Sequence, residues 1–95
     1  MLRNPVTGVR LEILEWLKDP AADLPTGRHT DPRTDGVTAD AVAARLGLAR
    51  PVAERHLALL TAIGLLRARR VRRRLRYRRD EVRIAEVARM FEKGW

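Results

Sequence analysis

Apolar residues recur along this chain at two different periods, and the change of period marks out its elements. Asn4-Pro5 predicts a helix start, because Asn caps well and Pro suits the first helical turn. From Val6 onward, Val9, Ile13, Trp16 and Leu17 follow at three- and four-residue steps, with Leu11 and Leu14 beside them. This predicts one helix ending near Lys18-Asp19-Pro20, with an apolar stripe wider than a small core needs. Residues 20–36 hold three Pro, two Gly and three Asp and show no period, which predicts a long loop. The helical period resumes at Val37-Thr38, where Thr38 can cap and Asp40 suits the helix dipole. Val42, Ala43 and Leu46 form the inner stripe, and Gly47 ends the helix. Pro51 opens the next helix, with Ala53, Leu57, Leu60 and Ile63 on one face and Gly64 at its close.

After Gly64 the period falls to two. Leu66 and Ala68 alternate with Arg67 and Arg69, and Leu75 and Tyr77 alternate with Arg74, Arg76 and Arg78. Alternation predicts two strands, and Arg72-Arg73 fall where their turn must lie. Asp80-Glu81 then caps a last helix carrying Val82, Ile84, Ala85, Val87, Ala88 and Phe91, again a broad stripe. Gly94 fits the position after its end, and Trp95 can fold back on the last turn. Two helices joined by a tight Gly turn match helix-turn-helix spacing, with small Ala43 allowing a close crossing. The expected fold is mainly α with a small β-hairpin: a winged helix-turn-helix of four to five helices plus a two-stranded wing. A single domain over 1–95 divides into helices at 1–19 and 80–95, a loop insert at 20–36, the helix-turn-helix at 38–64 and the wing at 65–79.

Composition sharpens this picture at the wing. The chain has 95 residues, of which 45% are hydrophobic, ordinary for one folded domain. No apolar run reaches about 18 residues, so no membrane span is expected. Residues 1–10 carry charge and no apolar segment, so no secretory signal is expected. Cysteine is absent, which excludes disulfides and thiolate chemistry and is consistent with a cytoplasmic location. Net charge is +8, from 20 basic and 12 acidic residues. Nine arginines lie within residues 67–79, and without them the remainder holds 11 basic and 12 acidic residues. A local basic excess is the footprint of a polyanion binder. The interleaved Val71, Leu75 and Tyr77 argue against a disordered basic tail.

The order of helix, loop, helix, turn, helix, two-stranded wing and helix resembles the ArsR/SmtB type of winged-helix transcriptional regulators over nearly the whole chain. The residues that carry the resemblance are "NPVTGVRLEILEWL", "VTADAVAARLGLARPVAERHLALLTAIGLLRARR" and "RYRRDE". It implies a dimer, with itself or a relative, built from the first and last helices. It implies that the helix over 50–64 enters the major groove of double-stranded DNA while the wing touches backbone or minor groove. The chain departs from the pattern at Ala49, usually a capping Ser, at Val52 and Glu54, usually polar Thr or Ser, and around Arg72, where a turn Gly is usual. The expected DNA-facing residues are Arg50, Val52, Glu54, Arg55 and His56 on the helix, Thr61 near its end, and Arg72, Arg73, Arg74 and Arg76 on the wing. Glu54 would repel phosphate unless it accepts from a cytosine amino group or pairs with Arg50 or Arg55. His56 reads either as a base contact or as a packing histidine against the preceding helix. Gln is absent and Asn4 is the only Asn, so base reading must rest mainly on Arg to guanine. Binding is therefore expected to be phosphate-dominated, salt-dependent and modestly selective.

The metal sites usual in such regulators need Cys on the recognition helix, or Asp and His on the last helix. The chain has no Cys, and the last helix offers Asp80, Glu81 and Glu86 without His. The loop holds Asp23, His29, Asp31 and Asp35, of which His29, Asp31 and Asp35 are candidate Ni²⁺ or Zn²⁺ ligands, set against a plain polar loop. Two further functional readings stay open: a partner-dependent interaction module, in which a second regulatory protein supplies the signal or affinity, and a basic RNA-binding winged helix. An enzyme is not expected, since the chain has no Ser or Cys nucleophile and no Gly-rich phosphate loop.

Overall fold

A computed structural model describes residues 3–20 and 30–95. Its elements are α1 (Val9–Trp16), α2 (Pro32–Asp35), β1 (Val37–Thr38), α3 (Ala39–Leu46), α4 (Arg50–Ala62), β2 (Leu66–Val71), β3 (Arg74–Arg79) and α5 (Glu81–Met90). The mainly α winged helix-turn-helix expected from the sequence is the observed architecture, with five helices. Its sheet has three strands, in the order β1-β3-β2, rather than two.

The first helix starts later than the cap at Asn4 suggested. Asn4 Oδ1 accepts from the Val6 amide at 2.9 Å and closes a separate turn. Gly8 then takes φ 57° and ψ −127°, which interrupts helical geometry and delays α1 to Val9. Residues 30–38 are also more ordered than a featureless loop. Asp31 caps α2 by accepting from the Arg33 amide at 2.9 Å, and Pro32 sits at its first position. Val37 and Thr38 then pair antiparallel with Tyr77 and Arg76 of β3. Gly36 permits that approach: its φ is 88°, and a Cβ there would overlap the Tyr77 carbonyl.

The helix-turn-helix follows the expected caps. Thr38 Oγ1 accepts from the Ala41 amide at 3.2 Å, and Gly47 ends α3 in the left-handed region at φ 67°. The Leu48 amide then donates to the Ala43 carbonyl at 2.9 Å. Ile13 and Leu14 of α1, Val42 of α3, and Ala53, Leu57 and Leu60 of α4 are fully buried together with Leu65. β2 and β3 meet at a two-residue turn, with Val71 opposite Arg74. Arg72 and Arg73 have φ of 52° and 70°, the signs a type I′ hairpin turn requires. In the register Leu66 faces Arg79, Ala68 faces Tyr77 and Arg70 faces Leu75. Leu66 and Tyr77 lie in the core, whereas Ala68, Arg70 and Leu75 are exposed, so the hairpin runs out beyond the body of the domain.

The last helix ends before Gly94. Phe91 is its C-cap, Glu92 takes the positive φ of 53°, and the Lys93 amide donates to the Ala88 carbonyl at 2.9 Å. Trp95 does fold back, its ring centroid 6.1 Å from that of Phe91. Ile84, Val87 and Ala88 pack into the core while Val82 and Met90 remain 71% and 61% exposed. The broad stripe of α5 is thus only partly used within one chain. Among the described residues no helix is long and apolar enough to cross a membrane.

Candidate nucleic-acid interface

The N-terminal half of α4 and the hairpin form the two walls of a cleft of about 490 Å³. Thr38, Asp40, Arg50, Glu54, Arg70 and Tyr77 are among its lining residues. Arg50 holds the first position of α4. Its Nε donates to Glu54 Oε1 at 2.7 Å, one helical turn on, and its Nη1 lies 3.2 Å from Asp40 Oδ1 on α3. The hydrogen bond to Glu54, with the Asp40 charge behind it, strengthens the guanidinium's hold on its proton. Of the choices open for Glu54, pairing with Arg50 is the one observed. Ala49 leaves the helix without a side-chain cap.

The remaining expected contacts on α4 divide. Arg55 is exposed and Val52 half-buried. His56 is half-buried, and its burial, followed by the nearby charges of Arg10 and Arg55, lowers its pKa below the usual value and favours the neutral ring. Thr61 turns its hydroxyl back to donate to the Leu57 carbonyl at 2.7 Å. Tyr77 closes the base of the cleft with its hydroxyl pKa raised, first by burial and then by the Glu54 charge.

The nine wing arginines are not equivalent. Arg67 Nε donates to Asp80 at 2.9 Å and Arg69 Nη2 to Asp35 at 3.0 Å. Arg74 Nη1 lies 4.0 Å from Asp40. Arg76 donates through Nη1 to the Gly36 carbonyl at 2.8 Å and through Nη2 to Thr30 at 3.4 Å, which ties β3 to the segment that leads into β1. Arg79 is almost wholly buried and bonds Glu81, Leu14 and Trp95. Among the described residues Arg70, Arg72, Arg73 and Arg78 carry no ion pair, and all four are exposed. Arg72, Arg73 and Arg74 thus lie at the tip of the wing as expected, while Arg76 has structural partners. Arg70, which the sequence reading passed over, lines the cleft. Period two places position 70 on the face of Leu66 and Ala68, so the strand pattern already carried its signal.

Asp31 and Asp35 of the loop already have partners. Asp31 caps α2, while Asp35 accepts from the Asp31 amide at 2.8 Å and from Arg69 at 3.0 Å. His29 and Asp23 lie outside the described residues. Among the described residues no three His, Cys, Asp or Glu side chains come together in a metal-binding group.

No protein-family model matches the chain. It is similar to the uncharacterized HTH-type transcriptional regulator YbzH of Bacillus subtilis (strain 168), with 33% identity over 79 residues that span 83% of this chain and 79% of the relative. That span is too long to rest on the helix-turn-helix alone, and it agrees with the fold and with a basic hairpin set beside an exposed second helix. The chain belongs to the HTH-type transcriptional regulators.

Proposed function

We propose that the chain is a regulator of the ArsR/SmtB type that works as a homodimer on double-stranded DNA in the cytoplasm. α4 enters the major groove, and the wing supplies most of the affinity through phosphate contacts. The observation that carries this reading is the set Arg70, Arg72 and Arg73, exposed and without acidic partners among the described residues, on the half of the hairpin that forms the cleft with α4. Like charges repel, so an unpaired cluster of this kind is best satisfied by an external polyanion. The dimer would be built from α1 and α5. Val82 and Met90 support it, as two large apolar side chains left exposed on a helix whose other face is in the core.

The test is salt-titrated binding of the full chain to its own upstream duplex and to shuffled duplex. Each neutralised phosphate contributes about 0.9 to the slope of log K against log salt, so three untied arginines in each of two protomers give a slope of about −5. A specificity ratio near one would overturn the autonomous regulator. Selectivity restored by a second protein would favour the partner-dependent module, and preference for structured RNA would favour an RNA-binding role. Light scattering that finds only monomer at micromolar concentration would overturn the dimer.

A further inference from the structure

Phosphate contacts position a protein on DNA but carry no sequence information. At the start of α4, three charged side chains meet in a different kind of arrangement. Arg50 is 60% exposed, yet its side chain is held from two sides by Glu54 on its own helix and by Asp40 on α3. Both carboxylates are about half exposed and line the cleft that would receive DNA. For a surface that only grips phosphate, two acids at this position are counterproductive, because they repel the polyanion and neutralise the arginine beside them. They are useful if the arginine must be aimed. The bond through Nε and the contact through Nη1 limit the rotamers of a long side chain before binding. Nη2 and the second Nη1 hydrogen remain as two parallel donors. That fork matches the O6 and N7 acceptors of guanine. Glu54 uses Oε1 for Arg50, which leaves Oε2 to accept from an amino group. In the major groove, cytosine N4 is such a donor.

We infer that Arg50, Glu54 and Asp40 form a unit that reads a G·C step: Arg50 bonds guanine, Glu54 accepts from a neighbouring cytosine, and Asp40 is a positioning residue that aims Arg50. This rests on the proposed docking of α4 in the major groove. It places the limited selectivity of the chain at one step of each half-site and assigns the wing none of it.

The experiment is selection from a randomised duplex library with the full chain and with Arg50→Lys, Glu54→Gln, Asp40→Asn and Asp40→Glu, each checked by thermal melting. The wild type is expected to enrich a guanine at a fixed place in each half-site. Arg50→Lys keeps duplex binding but loses about tenfold of the preference for that base, since an ammonium cannot form the fork. Glu54→Gln lowers the preference while tightening binding to arbitrary duplex. Asp40→Asn weakens the preference while keeping a cooperative melt, lowered by no more than the loss of one helix-dipole charge, and Asp40→Glu restores the preference. Duplex binding with no enriched guanine, or variants with the wild-type preference, would overturn the unit and leave the proposed function standing. Absence of any duplex binding would remove the docking of α4 and the unit with it.

Discussion

The Arg79 guanidinium donates to the Leu14 carbonyl at 2.8 Å, joining the last strand of the wing to the first helix across 65 residues of sequence. The same side chain donates to the Trp95 main-chain oxygen at 2.8 Å and pairs with Glu81, and it is only 8% exposed. One buried cation therefore ties together α1, β3 and both ends of the α5 segment. Replacing Arg79 with Met keeps an unbranched apolar stem, removes the guanidinium and orphans two carbonyl oxygens. The expected loss is about 2–3 kcal/mol, in the range for hydrogen bonds to a charged group. Urea denaturation with an unchanged m-value would show it, and a loss under 0.5 kcal/mol would count against the tie.

Asp80 makes stability depend on acid. Its carboxylate accepts from Arg67 at 2.9 Å and from the Arg83 amide at 3.1 Å, and these bonds, with the Arg67 contact the larger, hold its pKa below the ordinary 3.8. A depressed folded pKa means that the unfolded chain takes up the proton first. The contribution is complete above about pH 4 and is lost as pH falls from there through the folded value. Melting temperature should therefore drop below pH 4 in the wild type. Asp80→Asn should melt lower at pH 7 and show a shallower acid limb; an acid limb identical to the wild type would exclude Asp80 as a source.

The wing turn is strained at the two arginines proposed to meet DNA. Arg72 and Arg73 hold φ of 52° and 70°, the left-handed region that Asn and Gly occupy at lower cost. Arg72→Asn combined with Arg73→Gly should stabilise the domain by about 1 kcal/mol, raising its melting temperature by about 4–8 °C. The same change should weaken binding to all duplexes alike and reduce the salt slope by about 2 per protomer. A variant that melts higher and binds with the wild-type slope would take the turn out of the interface.

Ala49 is exposed and extended, at φ −65° and ψ 143°, immediately before α4. A serine there could accept from the Val52 amide, since Pro51 has no amide hydrogen. Ala49→Ser should add about 1 kcal/mol of stability and slow amide exchange at Val52. An unchanged denaturation midpoint would show that the uncapped start of α4 costs nothing.

Local chemistry made much of this fold legible. Thr38 caps α3, Gly47 takes the left-handed region and the 3.6-residue stripe of α4 faces the core, because each depends on residues within a few positions. The hairpin and its turn at Arg72-Arg73 were legible for the same reason, through period two. β1 was not, since two residues show no period and exist as a strand only against Tyr77 and Arg76.

The amino-acid sequence by itself determined the order of helices, turn and wing, and the concentration of positive charge at residues 67–79. Only the tertiary structure decided which of those nine arginines are available. Arg69 meets an acid 34 positions away, Arg76 a carbonyl 40 positions away and Arg79 a carbonyl 65 positions away. Capping and periodicity act over one or two turns of chain, so they can be read in order. Whether a charge is spent inside the fold or offered to DNA depends on which distant groups the folded chain brings beside it, and no local pattern encodes that.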